Sequence, residues 1–393
     1  MSGGDVPDVD LVQLRAGRLA RLQDAMGRHD VEVCLLFSEP NIRYATGVSA
    51  MPVYAMSTFV RCALVPSSGR PILFEHANSM HRSLLSTSSE VRPMHAWEFY
   101  DDAESEARIF AAEVAAAAGE LGVSRRELAV DRLGTPGFLS LQHAGFKIRD
   151  ASVVTQEARE VKTAEEVALM RLNGRIVLDM LERCESAITP GVTERDLLAI
   201  LSETMLRRGG EYLATSTVCS GPNTNPWRAE ATERAVEAGD LVYVDTDTVG
   251  IEGYFFCVSR TFLCGDAPAL RPQRDAYRAA FNWVTETTAL VRPGITCAQL
   301  AHEAPPIPER YLPQRYECLI HGVGLEEESP SVCHPLDRQS NGDRLLQENM
   351  ALVVEIYAGD VGGAHGVKLG DEILLTADGS EVLAPYPFAA NLL

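Results

Sequence analysis

The stretch VDTDTVGIEGYFFCVSRT, residues 244–261, decides the fold of this chain. It runs from one apolar segment, residues 241–249, into a second, residues 254–263. The two segments predict strands joined by a turn at Gly250 and Gly253. Side chains two positions apart on a strand project from the same face, so we expect Asp245 and Asp247 side by side. The pattern therefore predicts a β-hairpin that carries two neighbouring carboxylates.

Length and charge limit the classes of function. The chain has 393 residues with 46% hydrophobic content, which favours two domains over one. Its 35 basic and 55 acidic side chains give a net charge of −20. Nucleic-acid binding requires a basic face, so we expect no nucleic-acid partner. We expect a small-molecule substrate instead, and the acidic charge is compatible with a cationic or zwitterionic one.

Cysteine usage and the N-terminus predict a compartment. Nine cysteines lie without CxxC pairs, which indicates neither a zinc knuckle nor a disulfide framework and fits a reducing cytoplasm. The acidic N-terminus lacks the apolar segment of a signal peptide. No apolar run reaches the length of about 18 residues that a membrane span needs. We expect a cytoplasmic protein with no membrane partner.

The order of elements predicts two domains. Residues 1–157 alternate helical and strand patterns, beginning with an amphipathic helix at 11–28, and predict a smaller α/β domain. Residues 158–393 form the second domain, which opens with the helix cap Thr163 followed by Glu165 and Glu166. The segments TPGVT at 189–193 and RPGIT at 292–296 both join a long helix to a second helix. This recurrence predicts an internal duplication of about 100 residues.

Several motifs in this order resemble a known superfamily. Asn41-Ile42-Arg43-Tyr44-x-Thr46-Gly47, the segment REVKT at 159–163 and the hairpin are similar to the creatinase, prolidase and methionine aminopeptidase superfamily. The resemblance covers nearly the whole chain. It implies a two-domain α/β protein with a smaller creatinase-like N-terminal α/β domain and a pseudo-symmetric α+β C-terminal domain of the pita-bread fold.

The resemblance also implies a set of metal ligands. On the family pattern the ligands here are Asp245, Asp247, His321 of the segment HGVG, and Glu355. Two bridging carboxylates of the family are replaced, by Cys257 and by Gly370. Glu372 lies in phase with position 370 but about 6.5 Å further along the strand. A two-metal centre is therefore not expected. The remaining residues suit one divalent ion (iron, zinc or manganese) or none, with Cys257 as a further candidate ligand.

The same comparison disfavours peptide hydrolysis. Peptidases of the superfamily need two histidines that are not ligands, and here those positions hold Trp227 and Glu328. Without these two histidines, the usual acid–base catalysis of peptide hydrolysis is lost. Creatinase-like members work without metal but also use a histidine at the position of Trp227, so a metal-free C–N hydrolase would need another base.

The closest local resemblance is to the dimethylsulfoniopropionate lyase branch, through the Asp-x-Asp pair, the Asn-Pro-Trp loop and Tyr316. That branch removes a proton next to a carboxylate and expels dimethyl sulfide. It implies Glu327 as the general base in a partly desolvated pocket, Tyr316 assisting, and Trp227 as a wall for a cationic group. Glu328 completes the candidate catalytic set. We predict a diverged enzyme that cleaves a C–X bond in a different small carboxylate-bearing substrate.

Relatives further imply a homodimer in which the N-terminal domain of one subunit contacts the active site of the other. Arg61 is then a candidate for binding a substrate carboxylate, because guanidinium pairs with it through two hydrogen bonds. A solvated strand arginine is an equal alternative. Three other functions stay open: the creatinase-like hydrolase, an Xaa-Pro-type metallopeptidase, and a binding module without activity.

Overall fold

The computed structural model describes residues 9–55, 58, 60–83, 89–98, 101–227, 230–337 and 342–393. The chain divides into two compact units after Arg159, whereas a domain boundary after residue 157 stays a prediction. Residues 10–159 form the first unit, and residues 160–393 make up the body of the second. Among the described residues, no helix has both the length and the apolar character that crossing a membrane would require.

The N-terminal unit is an α/β domain built on one mixed sheet. The strand order is β4-β3-β2-β1-β5-β6, with β1 parallel to β5 and antiparallel to β2. Its helices are α1 (Leu11–Arg28), α2 (Glu39–Thr46), α3 (Pro52–Ala55), α4 (Met80–Ser83), α5 (Ala103–Glu120), α6 (Thr135–His143) and α7 (Ser152–Glu160). Its strands are β1 (Val33–Leu36), β2 (Cys62–Pro66), β3 (Ile72–Glu75), β4 (Glu90–Pro93), β5 (Glu127–Val130) and β6 (Lys147–Asp150).

Helix bounds in this unit follow local chemistry. Helix α1 begins after Asp10, whose carboxylate accepts hydrogen bonds from the backbone N–H groups of Val12 and Gln13. Helix α2 ends at Gly47, whose φ of +68° lies in the left-handed region that favours glycine. Apolar side chains of α5 pack against the sheet in one buried cluster with strands β1, β2 and β3.

The C-terminal unit contains an eight-stranded antiparallel sheet. The order is β14-β13-β15-β16-β12-β9-β8, with β17 paired to β16, and β11-β10-β7 form a small second sheet. Its helices are α8 (Ala164–Ala187), α9 (Glu194–Arg207), α10 (Arg271–Leu290) and α11 (Cys297–Glu303). Its strands are β7 (Tyr212–Leu213), β8 (Val218–Ser220), β9 (Leu241–Asp245), β10 (Thr248–Val249), β11 (Phe255–Phe256), β12 (Ser259–Leu263), β13 (Cys318–Val323), β14 (Glu327–Cys333), β15 (Ala351–Gly359), β16 (Gly366–Thr376) and β17 (Gly379–Val382).

The predicted hairpin differs from the structure in one respect: each of its two strands is broken. Strand β9 pairs with β12 in the large sheet, whereas β10 pairs with β11 in the small sheet. The chain changes sheets between Asp245 and Thr248, and the backbone N–H of Thr246 bonds to the carbonyl of Val258 across the junction. Asp245 therefore ends a strand of the large sheet, and Asp247 lies in the link between the sheets.

Equivalent contacts in the two halves agree with an internal duplication. Gly191 donates its N–H to the carbonyl of Val236 over 2.8 Å, and Gly294 does the same to Leu346 over 2.8 Å. The helix caps correspond as well, because Thr193 and Thr296 each form a capping box with the residue three positions on. Each of these threonines also forms an isolated β-bridge, Thr193 with Ala235 and Thr296 with Leu345.

Candidate active site

Four residues form a row across neighbouring strands of the large sheet. Asp245 of β9 pairs with Ser259 of β12, Ser259 pairs with Gly370 of β16, and Gly370 pairs with Glu355 of β15. The two outer positions carry carboxylates, while the two inner positions carry a hydroxymethyl group and no side chain. The row therefore leaves space between the two acids on one face of the sheet.

The side chain of Lys368 fills this space. Lys368 lies two residues before Gly370 on β16, so both project from the same face of the strand. Its Nζ lies 3.0 Å from Oδ2 of Asp245 and also contacts Oε2 of Glu355, and the residue is fully buried. The two carboxylates raise the pKa of the Lys368 ammonium well above its usual value, outweighing the opposing effect of burial. The site therefore holds a buried cation between two acids.

The acids on the β9 side differ in charge state. Burial opposes the ionisation of Asp245, but Lys368 and the hydroxyl of Ser259, which donates over 2.7 Å, together hold the pKa of this carboxyl below its usual value. Burial, reinforced by the neighbouring charge of Asp245, raises the pKa of Asp247 to about 7. Thr215 donates a hydrogen bond of 2.9 Å to Asp247. The negative charge is therefore concentrated on Asp245.

Cys257 lies against both aspartates. One donor atom from each of Asp245, Asp247 and Cys257 lies within 4.8 Å of the others. Burial, together with these carboxylates, raises the pKa of the Cys257 thiol well above its usual value, so the sulfur stays protonated. The Cys257 backbone N–H donates to Oε2 of Glu372 over 3.0 Å. Burial raises the pKa of the Glu372 carboxyl well above its usual value. Glu372 thus supports the Cys257 backbone.

His321 on β13 adds an imidazole to the cluster. Its Nδ1 lies 3.0 Å from the carbonyl oxygen of Gly322, and a carbonyl can only accept, so Nδ1 carries the proton. In a neutral ring the basic nitrogen is then Nε2, which lies 3.7 Å from Oε1 of Glu355. The ring is buried and thus held in this orientation. The arrangement directs a nitrogen lone pair towards the acidic cluster.

Two aromatic rings lie beside the lysine. The ring centroids of Trp227 and Tyr316 are 5.2 Å apart with an interplanar angle of 89°. Nζ of Lys368 lies 4.3 Å from the Tyr316 ring centroid and 5.9 Å from that of Trp227. Burial raises the pKa of the Tyr316 phenol, although Lys368 works in the other direction. Trp227 is 38% exposed, so part of its surface remains open to a ligand.

The loop that carries Trp227 is fixed by Asn225. The side-chain amide of Asn225 donates to the carbonyls of Asp360 over 2.7 Å and Gly363 over 2.8 Å. Its oxygen accepts a hydrogen bond from the hydroxyl of Tyr357 over 2.9 Å. These bonds satisfy a buried amide, and they connect the loop to the end of β15. The position of Trp227 therefore depends on the same strand that carries Glu355.

Glu327 and Glu328 begin strand β14 but do not share an environment. Glu327 is exposed in the single chain, in contrast to the partly desolvated pocket expected for it. Glu328 is buried, pairs with Lys162 over 2.6 Å and accepts the N–H of Leu325 over 3.0 Å. Its carboxylate is thus committed to an ion pair, and a catalytic role for it stays a prediction. Glu328 connects β14 to the start of the unit.

Arg61 is also engaged by neighbouring acids. It lies just before β2, almost fully buried, and its terminal nitrogens contact Glu39 over 2.7 Å and Glu75 over 2.9 Å. Both contacts lie within the N-terminal unit. A guanidinium with these partners is not the free group expected for a substrate carboxylate, because binding one would require breaking a buried ion pair.

Sequence reasoning missed Lys368 and Ser259. The sequence does contain a signal for the lysine, since it precedes Gly370 by two positions and so shares its face of the strand. Ser259 pairs with Asp245 directly. Lysine and serine are not usual metal ligands, so the ligand pattern of the superfamily does not point to either residue.

The residues present do not fit the two-metal centre of the superfamily. Cys257 and Gly370 lack its bridging carboxylates, and the cation between Asp245 and Glu355 belongs to Lys368. Asp247 and Cys257 lie with Asp245 on one side of the lysine, and Glu355 with His321 on the other. The predicted set of four ligands is therefore divided by an ammonium group and does not converge on one point.

Comparisons with known proteins agree with this architecture. Residues 168–377 match metallopeptidase family M24, and residues 18–161 match the creatinase/prolidase N-terminal domain. The dimethylsulfoniopropionate lyase DddP of Roseovarius nubinhibens is 32% identical over 98% of this chain and 88% of its own length. The protein of the same name from Roseobacter denitrificans is 32% identical over 99% of this chain and 89% of its own length.

A solved structure shows the same fold. Dipeptidase PepE of Mycobacterium ulcerans has a TM-score of 0.77 at 24% identity, over 97% of this chain and 98% of its own. At this identity the likeness concerns the fold alone. The family match over most of the C-terminal unit and the relatives that span the chain lead to one conclusion: this chain belongs to the metallopeptidase family M24, with the creatinase/prolidase N-terminal domain and the pita-bread fold.

Proposed function

We propose that this protein is an enzyme that cleaves a C–X bond in a small metabolite bearing a carboxylate and a cationic group. The observation that carries the proposal is the ion cluster of Asp245, Lys368 and Glu355 directly beside the rings of Tyr316 and Trp227. A dead binding site has no need of a buried charge cluster beside an open aromatic ring, because buried charges are costly to maintain.

The charges of the site favour a cationic group on the substrate. Asp245 and Glu355 face a single ammonium, and Asp247 adds a carboxyl whose pKa is about 7, so negative charge is in excess. The exposed part of Trp227 offers a π face, which attracts cations. A sulfonium, quaternary ammonium or guanidinium head group fits this combination.

Elimination is the reaction that these relatives support. Removal of a proton next to the substrate carboxylate sends its electron pair into a new carbon–carbon double bond, and the C–X pair leaves with the departing group. The two DddP proteins, each 32% identical over nearly the whole chain, carry the name of a lyase that acts on a sulfonium carboxylate. The altered residues Cys257 and Gly370 support a different substrate for this chain.

Two groups are candidates for the proton acceptor. Glu327 remains the prediction from the resemblance, although it is exposed in the single chain. The geometry favours His321, because its Nε2 is the basic nitrogen, is buried and faces the cluster. We propose His321 as the base and Tyr316, beside Lys368, as the residue that orients the substrate.

A substrate panel tests the proposal. The purified protein is incubated with dimethylsulfoniopropionate, a betaine, creatine and an Xaa-Pro dipeptide, and products are followed by proton NMR. We expect turnover of a carboxylate that also carries a cationic group. The protein should turn over dimethylsulfoniopropionate more slowly than a related compound that fits the site better. Release of urea from creatine would instead support the creatinase-like hydrolase, and faster cleavage of the dipeptide would refute the proposal. Binding of every compound without turnover would favour the binding module.

The homodimer remains part of the proposal. A dimer would give the exposed Glu327 a second surface to contact, and light scattering on the purified protein measures the mass directly. A monomer that turns over substrate at full rate would remove the partner subunit from the mechanism.

A further inference from the structure

In the gap between Asp245 and Glu355, two buried acids share one cation. The two acids stand at the ends of the row through Ser259 and Gly370. A divalent ion that bound both would need to lie about 2.0–2.2 Å from a carboxylate oxygen of each. Nζ of Lys368 already lies 3.0 Å from Asp245 and in contact with Glu355. The ion and the ammonium would therefore compete for one place.

Strands β15 and β16 approach each other closely at Gly370 and Glu355. A Cβ built on Gly370 would lie 2.8 Å from Cβ of Glu355 and 3.4 Å from Oγ of Ser259. The first distance is too short for a side chain, and a Cβ atom next to the backbone cannot swing aside. A glutamate at position 370, which the two-metal pattern requires, does not fit between these strands. The loss of the bridging acid is thus built into the spacing of β15 and β16.

We propose that the ε-ammonium group of Lys368 takes the place of the divalent metal ion in this chain, so that the protein carries its own cationic centre and excludes a metal from the Asp245–Glu355 gap. Two independent observations support it: the two ion pairs of Lys368 and the missing space at Gly370.

Electrostatics explains why the exclusion is strong. An ammonium and a divalent ion at contact distance repel one another, and the repulsion grows as water is removed. Lys368 is fully buried, so moving its charge out of the gap would leave it without a partner in the interior. A metal ion could enter only by displacing a charge that has nowhere favourable to go.

The inference goes beyond the proposed function, because it concerns the cation of the site and not the bond that is cleaved. Metal content can be measured in protein without any substrate. Failure of the substrate panel would therefore leave this inference standing, and a bound metal would refute it whatever reaction the enzyme catalyses.

The experiment compares the full chain with two variants at the same position. Lys368→Met removes the charge but keeps a long side chain, whereas Lys368→Arg keeps a cation. Each protein is equilibrated with Mn²⁺, Zn²⁺ or Fe²⁺, passed through a desalting column and analysed for metal by mass spectrometry. Thermal unfolding with and without the ion supplies a second readout, because an ion that binds only the folded chain raises Tm.

We expect the wild-type chain and Lys368→Arg to retain less than about a tenth of an equivalent of metal, with no rise in Tm. Lys368→Met should gain about one equivalent, removable by a chelator, and Asp245→Asn in that background should lose it again. A wild-type chain that retains about one equivalent, lost on Asp245→Asn, would overturn the proposal. A folded Lys368→Met that takes up no metal would also count against it. If Lys368→Met does not fold, the wild-type measurement decides alone.

Discussion

Gly370 and Glu355 face each other across β16 and β15 at a distance that admits no side chain at position 370. The Cβ that glycine lacks would lie 2.8 Å from Cβ of Glu355. Strand pairing fixes this spacing, because the two residues are direct partners in the antiparallel register. A glycine here is therefore required by its neighbour and not by backbone freedom.

Gly370→Ala should destabilise the protein by about 1–3 kcal/mol, since the added methyl must push the strands apart. The free energy of unfolding, from urea titration of the two proteins, measures the change. Gly379→Ala on β17 is the matched control, because a Cβ there meets nothing within 4 Å. It should shift stability by less than about 0.5 kcal/mol. Equal effects of the two substitutions would mean that the close approach is not maintained in solution.

Glu328→Gln should act on stability and not on chemistry. The substitution leaves the buried ammonium of Lys162 without its counter-ion, and breaking a buried pair costs about 3–5 kcal/mol. We expect a lower unfolding midpoint and an unchanged kcat for the folded fraction. Glu381→Gln removes an exposed partner of Arg171 and should change stability by no more than about 1 kcal/mol. A Glu328→Gln protein of normal stability with a greatly reduced kcat would restore Glu328 to the catalytic set.

The fold was predictable because its signals are local. A helix cap is recognised from a threonine and a polar residue three positions later. Thr163, Thr193 and Thr296 each form such a capping box in the structure. The two-domain α/β architecture is confirmed by the family matches and by the relatives that span the chain. The break in the hairpin was not predictable, since strand pattern alone does not say that Thr248 pairs in a different sheet from Asp245.

The site was predictable only in part because its decisive contacts are long-range. The structure brings Asp245, Asp247, His321, Glu355, Tyr316 and Trp227 to one region. Lys368 joins them through a long side chain that reaches Asp245 and Glu355 on two other strands. The partner of Glu328 lies 166 positions away at Lys162. Spacing within β16 places Lys368 on the same face as Gly370, but it does not identify the acids on other strands that Lys368 contacts, and no spacing rule reveals the Glu328–Lys162 pair.

Trp227→Ala should weaken binding of a cationic substrate more than it slows the reaction. The ring contributes a cation–π contact worth about 1–2 kcal/mol when desolvated, so KM should rise about 5- to 30-fold with little change in kcat. A neutral substrate of the same shape should show a much smaller change. Phe138→Ala is the matched control, because Phe138 is an aromatic residue of similar exposure (37%) in the other unit. A rise in KM that is equal for cationic and neutral substrates would indicate lost packing instead.

His321→Gln should abolish most of the activity, whereas Glu327→Gln should not. Glutamine cannot accept the proton, and loss of a general base costs about 10²- to 10⁴-fold in kcat. Glu327 is exposed, so we expect its substitution to lower kcat by less than about 10-fold. His302→Gln, on the exposed side of α11, controls for loss of an imidazole elsewhere. Unfolding midpoints must accompany the rates, because His321 is buried beside Glu355. The reverse result, a large loss in Glu327→Gln and a small one in a stable His321→Gln, would return the base to Glu327, and it would indicate that assembly with a second subunit desolvates that carboxylate.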